Sequence, residues 1–294
     1  MAAYTIENEK LSVTIDVHGA ELSSIYDKEN DRELIWQADA AFWNRHAPVL
    51  FPNVGKYYGG HFTYNGKAYP MGQHGFARDT EFEQIAAGED FVTYRLCADE
   101  ESKKKYPFDF VLEITHRLEN NRLSVEWNVK NVDDKEMYFT IGGHPAFNVN
   151  ILPDTDFEDY SLVFKEGIET LSYILIDAEN GTALTDKTYK LELTNSKYAL
   201  KKDMFDKDAL IFDNGQIEWV GLALPNGKPY IALESKNFPN FGIWSKPGAP
   251  YVCLEPWCGR CDNKGFQGEI SEKPGINTLK AGEVFKKSYD IIVY

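Results

Sequence analysis

Apolar and polar residues alternate with a period of two along most of this chain. Leu11, Val13, Ile15 and Val17 are separated by Ser12, Thr14 and Asp16, the pattern of a strand with one buried face. Phe110, Leu112, Ile114, His116 and Leu118 make a second such face. Past Asn120-Asn121, residues 123–129 repeat it with Leu123, Val125, Trp127 and Val129, so the two runs are expected to form a β-hairpin. Asn65-Gly66 and Asn226-Gly227 mark further turns, the second between strands at 220–224 and 230–233. Residues 241–244 and 251–254 predict two more short strands, the latter stopped soon after by Pro256. Helical signals are few. Residues 38–44 and 271–274 can each make a turn or two, and the charged run 99–105 reads as a solvated loop. Many short strands with frequent turns predict an all-β sandwich rather than a βαβ fold, as one domain over residues 1–294.

Composition narrows the partners. Apolar residues make up 43% and aromatics 14% of 294 residues, enough for a substantial core near the upper size for one domain. A net charge of −15 argues against nucleic acid or an anionic membrane as partner, since both need a basic face. A small anion remains open, because one or two placed arginines suffice for it. The first residues lack the basic and apolar regions of a signal peptide, and no run approaches the roughly 20 apolar residues of a spanning helix. A soluble, cytoplasmic protein is expected. Cys258-Gly-Arg-Cys261 has the spacing of redox and zinc half-sites, but no second Cys-x-x-Cys accompanies it. With Cys97 and Cys253, these are read as reduced thiols.

Four polar stretches interrupt the strands. Thr140-Ile-Gly-Gly-His144-Pro145 follows a β-favouring run. The glycines allow close approach or positive φ, and the proline biases His144 away from helix. A rigid histidine where a strand leaves the sheet is suited to proton transfer. In Tyr251-Val-Cys253-Leu-Glu255-Pro-Trp257, the first, third and fifth residues share a strand face. A carboxylate on such an apolar face is costly unless paired or used, and a tryptophan beside it can stack on a sugar ring. Asn44-Arg45-His46-Ala-Pro48 and Gln73-His74-Gly-Phe-Ala-Arg78 each present an arginine and a histidine, and a guanidinium fork suits hydroxyl or phosphate oxygens. His46, His74 and His144 supply no local metal-binding pair. His116, on an apolar strand face, is expected to be a hydrogen-bonded core residue; His18 and His61 carry no assignment.

Taken together and in this order, Asn-Arg-His-Ala-Pro-Val-Leu-Phe-Pro, Gln-His-Gly-Phe-Ala-Arg-Asp, Gly-Gly-His-Pro-Ala-Phe-Asn and Leu-Glu-Pro-Trp-Cys-Gly resemble the aldose 1-epimerase (galactose mutarotase) family. The likeness is greatest to its LacX-type and hexose-6-phosphate mutarotase branches and runs over nearly the whole chain. It implies a galactose-mutarotase-like antiparallel β-sandwich with a sugar in an open cleft. It further implies His144 as general acid and Glu255 as general base, with His74 positioning the sugar and Arg45 and Arg78 holding hydroxyls or a phosphate. Trp257 would line the sugar site. A substrate-binding aspartate is expected from the segment 207–213, where Asp208 is preferred to Asp213. The implied chemistry needs no metal or other cofactor. The competing class is a non-catalytic sugar-binding sandwich, which would need no paired acid and base.

Overall fold

The alternation is realised as strands, most of them in two large antiparallel sheets. The computed structural model describes residues 3–294; Met1 and Ala2, at the start of the expected domain span, lie outside them. A nine-stranded sheet is built around the predicted hairpin, Phe110–Glu119 paired with Arg122–Asn131. The strand Phe91–Cys97 flanks it on one side and the long strand Val284–Val293 on the other. Phe110, Leu112, Ile114, His116 and Leu118 are all buried, and their alternates are not. Each apolar member of that row contributes about 1.5–3 kcal/mol by leaving water. Asn120 turns the hairpin at φ 55°, a conformation asparagine tolerates.

The second sheet has eight strands and carries Tyr251–Cys258 between Asn240–Trp244 and the pair Ile141–Gly143 and Ala146–Asn148. Every residue of Tyr251–Cys258 is buried, yet its two faces do different things. Val252, Leu254 and Cys258 join the main core, together with Val92, Leu112 and Leu162 of the nine-stranded sheet. Tyr251, Cys253, Glu255 and Trp257 alternate to the opposite face. The sandwich interior therefore lies behind this strand, and a cavity lies in front of it.

Two expectations are corrected. The charged run is not a loop: Glu100–Lys105 is a short α-helix. Asp99 accepts from the Ser102 backbone in a capping box, with Glu100 and Glu101 in the first turn and three lysines in the last, so caps and helix dipole decide what the charge count alone did not. Nor does Pro256 end its strand, which runs on to Cys258 with Pro256 facing Phe241. Leu254 donates its N–H to the Pro145 carbonyl at 3.2 Å, and by the period of two the Pro256 nitrogen points to the same side. The ladder is already open there, between Gly142 and Ala146, so the missing N–H forfeits no pairing. The two weak helical stretches shrink to a turn at 40–42 and the 3₁₀ turn Ile270–Glu272. Among the described residues, no helix is long and apolar enough to cross a membrane.

Candidate active site

One register sets the position of the site. Ile141 faces Cys258 and Gly142 faces Trp257; beyond the break, Ala146 faces Cys253. The register is the same on both sides of the break, so His144 stands directly across from Glu255. Their side chains meet, with His144 Nε2 at 3.3 Å from Glu255 Oε2. Pro145 and Pro256 straddle this pair, and each withholds an N–H from the ladder. The break thus frees two facing side chains while the strands on either side hold them.

The glycines earlier marked for close approach or positive φ serve close approach. A Cβ on Gly142 would lie 2.5 Å from Trp257 Cδ1, and one on Gly242 would lie 2.3 Å from Trp257 Cζ2. The indole is therefore laid flat across two neighbouring strands. His74 is aimed differently, by two successive left-handed residues: His74 at φ 68° and Gly75 at φ 70°. A side chain at Gly75 would run into the Phe51 carbonyl at 2.2 Å. The Gly55 N–H donates to His74 Nδ1 at 3.0 Å, so the neutral ring carries its proton on Nε2. The rings of His74 and His144 meet edge to face at 5.5 Å.

These elements enclose a cavity of about 360 Å³, within the range of small-molecule sites. All seven side chains singled out from the sequence line it: Arg45, His74, Arg78, His144, Asp208, Glu255 and Trp257. Asp213 does not; it pairs with Arg260 at 3.0 Å and accepts from Asn240 at 2.7 Å. His46 also stays outside, 3.7 Å from Glu21. Arg45 reaches Asp79 at 2.7 Å, and Arg78 donates to the Gln73 carbonyl at 2.8 Å. Arg78 Nε is buried without a hydrogen-bond partner among the described residues, its nearest anion being Asp79 Oδ2 at 3.7 Å. Cys258 and Cys261 are free thiols, and Cys261 forms part of the cavity wall.

Several lining residues carried no signal strong enough to be singled out. Trp43 lies over His144 with ring centroids 4.8 Å apart, and Trp244 meets it edge-on at 5.8 Å. Trp43 stands two residues before Arg45, so an aromatic beside the arginine motif was the available clue. Lys56 and the segment Ile176, Asp177, Ala178 and Gly181, at and beyond the end of the strand Thr170–Ile176, carry no motif in sequence; only the fold brings them here.

Burial governs the protonation of the central pair. Removal from water, with the Asp208 charge adding to it, holds the Glu255 carboxyl well above the usual carboxylate range. The Trp257 indole N–H, near the carboxylate but outside hydrogen-bonding geometry, opposes this weakly. Burial lowers His144 to about 3, helped by Arg78 and Arg45. Both shifts favour a neutral 3.3 Å contact, with the shared proton on Glu255, over an ion pair. Burial, then His144 and the cations Arg78, Arg45 and Lys56, lower His74 as well. Arg78 falls to about 10, through burial and then Arg45. One wall of the cavity is thus a crowded, partly dehydrated set of cations, and Asp208 lies beside the opposite carboxyl.

Two antiparallel sheets with a polar cavity opened at a cross-strand His–Glu pair define a mutarotase-like β-sandwich. The sequence matches the family described as Aldose 1-epimerase over residues 2–291, and the chain belongs to that family. It is 32% identical over 296 residues to the plasmid-encoded protein LacX of Lactococcus lactis subsp. lactis, with 98% of each chain covered. Among solved structures it is similar to a galactose mutarotase related enzyme from Lactobacillus acidophilus. That match has a TM-score of 0.94 and 35% identity, over 100% of this chain and 97% of the other. A galactose mutarotase-like protein from Lactobacillus casei matches at TM-score 0.90 and 33% identity, with 100% of both chains covered.

Proposed function

We propose that this protein interconverts the α and β anomers of an aldohexose or its 6-phosphate, with Glu255 and His144 as the acid–base pair. The observation that carries the proposal is their cross-strand contact at 3.3 Å on the cavity wall. Mutarotation opens a hemiacetal ring: one group removes the anomeric hydroxyl proton while another protonates the ring oxygen. After rotation about C1–C2 the ring closes on the other face, and the protons return. The reaction thus neither gains nor loses a proton, which suits a pair that holds one between its members.

Burial favours that proton on Glu255 before a sugar binds. An anomeric hydroxyl donating to the Glu255 carboxylate stabilises the charged form. Together with the ring oxygen accepting from His144, this moves the proton to the imidazole. Glu255 then acts as base and His144 as acid. The neutral His74, with its proton on Nε2, donates to a sugar oxygen, and Asp208 accepts from hydroxyls. Trp43, Trp244 and Trp257 give the apolar faces of the ring a wall to lie on. Arg45 and Arg78 hold the far end of the sugar; the buried Arg78 Nε, which makes no hydrogen bond and has Asp79 Oδ2 only at 3.7 Å, leaves a donor for an anionic oxygen there.

The test is anomer interconversion by polarimetry or NMR with freshly dissolved α-glucose, α-galactose and glucose 6-phosphate. Acceleration of at least one over the uncatalysed rate is expected. A preference for the phosphate should disappear in Arg78→Ala. Binding of a sugar without acceleration of any of the three would replace this reading with a sugar-binding protein.

A further inference from the structure

Cys253 has no part in the chemistry proposed above, yet it sits beside it. It is fully buried and two residues before Glu255 on the same strand face. Its Sγ, a ring nitrogen of His144 and a Glu255 oxygen all lie within 4.8 Å of one another. His144 is buried and its Nδ1 has no hydrogen-bond partner among the described residues, where Glu255 is the side chain that fixes this ring by a polar contact. The other thiols are placed differently: Cys97 is exposed, Cys258 faces the main core, and Cys261 lies on the cavity wall, whereas Cys253 packs beside Ala146 and Tyr251.

We propose that these three side chains form an inhibitory site for a borderline-soft divalent cation of the zinc class. A zinc ion with about 2.0–2.1 Å bonds to nitrogen and oxygen sets them about 3.3 Å apart in a tetrahedron. That is the separation His144 Nε2 and Glu255 Oε2 already have, at 3.3 Å. Cys253 supplies the third ligand, at about 2.3 Å from the metal, after a small side-chain movement. Sulfur, imidazole and one carboxylate suit zinc and disfavour magnesium or calcium, which prefer all-oxygen shells. The ion takes the place of the proton held between His144 and Glu255 and displaces the thiol proton of Cys253. Two protons leave as one dication enters. The fourth coordination position opens on the cavity, so the metal competes with the sugar for the same two groups.

The ligand set predicts reversible inhibition of anomer interconversion by chelator-buffered Zn²⁺, relieved by excess chelator and competitive with sugar. Cys253→Ala and the near-isosteric Cys253→Ser should keep turnover and require at least about tenfold more Zn²⁺ for half-inhibition. Cys261→Ser should remain as sensitive as the parent. The inhibition arm rests on the epimerase reading; a second arm does not. Co²⁺ titrated into the Cys97→Ser protein should produce a thiolate-to-cobalt charge-transfer band at one equivalent, lost on adding either Cys253 substitution. Absence of that band, or its survival in both Cys253 variants, overturns the site whether or not the protein is an epimerase. So does unchanged Zn²⁺ sensitivity in both variants.

Discussion

Two histidines are buried in the two large sheets, His116 on a strand face and His144 at a break between strands, and they look alike until their neighbours are compared. His116 lies in the hairpin with Val125 across on one side and Val92 on the other. His144 lies at the break beside Tyr251–Cys258, with Glu255 across from it. Burial lowers both to about 3, and each has an unpartnered Nδ1. His116 is the core residue expected, but its Nδ1 makes no hydrogen bond among the described residues, and the ring is neutral because it is dry. A perturbed imidazole is therefore no mark of function in this fold. What separates the two is a carboxyl across the register and a ladder opened by two prolines.

The sharpest way to break the comparison is to remove each ring in turn. His144→Phe should lower the rate of anomer interconversion by about 10²–10⁴-fold, the usual share of one acid–base group. His116→Phe should leave it within a few-fold of the parent. Equal losses in the two would erase the distinction drawn here.

A smaller effect is expected where the site's geometry depends on glycine. Gly142→Ala pushes a methyl to 2.5 Å from Trp257 Cδ1, overpacking of a kind that costs about 1–3 kcal/mol. Thermal unfolding should register that loss, with slower turnover as the indole shifts. An unchanged melting temperature would mean that the strands yield more easily than their packing implies.

The third effect is pH-dependent and belongs to His116. Its folded value of about 3 lies below the unfolded value of about 6.5, so the unfolded chain binds the extra proton first. The stability it contributes is full above about pH 6.5 and is lost as pH falls from there towards 3. Between pH 7 and 5 the loss is about 2 kcal/mol. Val125 and Val92 face the ring on the paired strands, and Tyr289, neutral in this range, is the ionisable side chain beside it. Denaturant midpoints at the two pH values should therefore converge in His116→Phe. A drop as steep as the parent's would assign acid lability to other groups.

The same comparison explains what was legible in the sequence. The hairpin could be read because each side chain's fate depends on its immediate alternation. Six of the seven cavity residues could be singled out because each sits in a stretch that breaks that alternation, and the order of the stretches resembles one family; Asp208 came from that resemblance alone. The continuation through Pro256 could not be read, because it depends on a gap in a neighbouring strand more than 100 residues away in the chain. Lys56 and the 176–181 segment were hidden for the same reason. The helix Glu100–Lys105 was missed although its signals are local: an Asp cap with graded charge was weighed as a solvated run.

The most direct test is a mutant cycle on the facing pair, with anomer interconversion followed by polarimetry for Glu255→Gln, His144→Ala and both together. If the two groups pass one proton between them, each single change costs about 10²–10⁴-fold and the double costs little more than the worse single. Near-parental turnover in either single variant, or losses that multiply in the double, would contradict a shared proton at this pair.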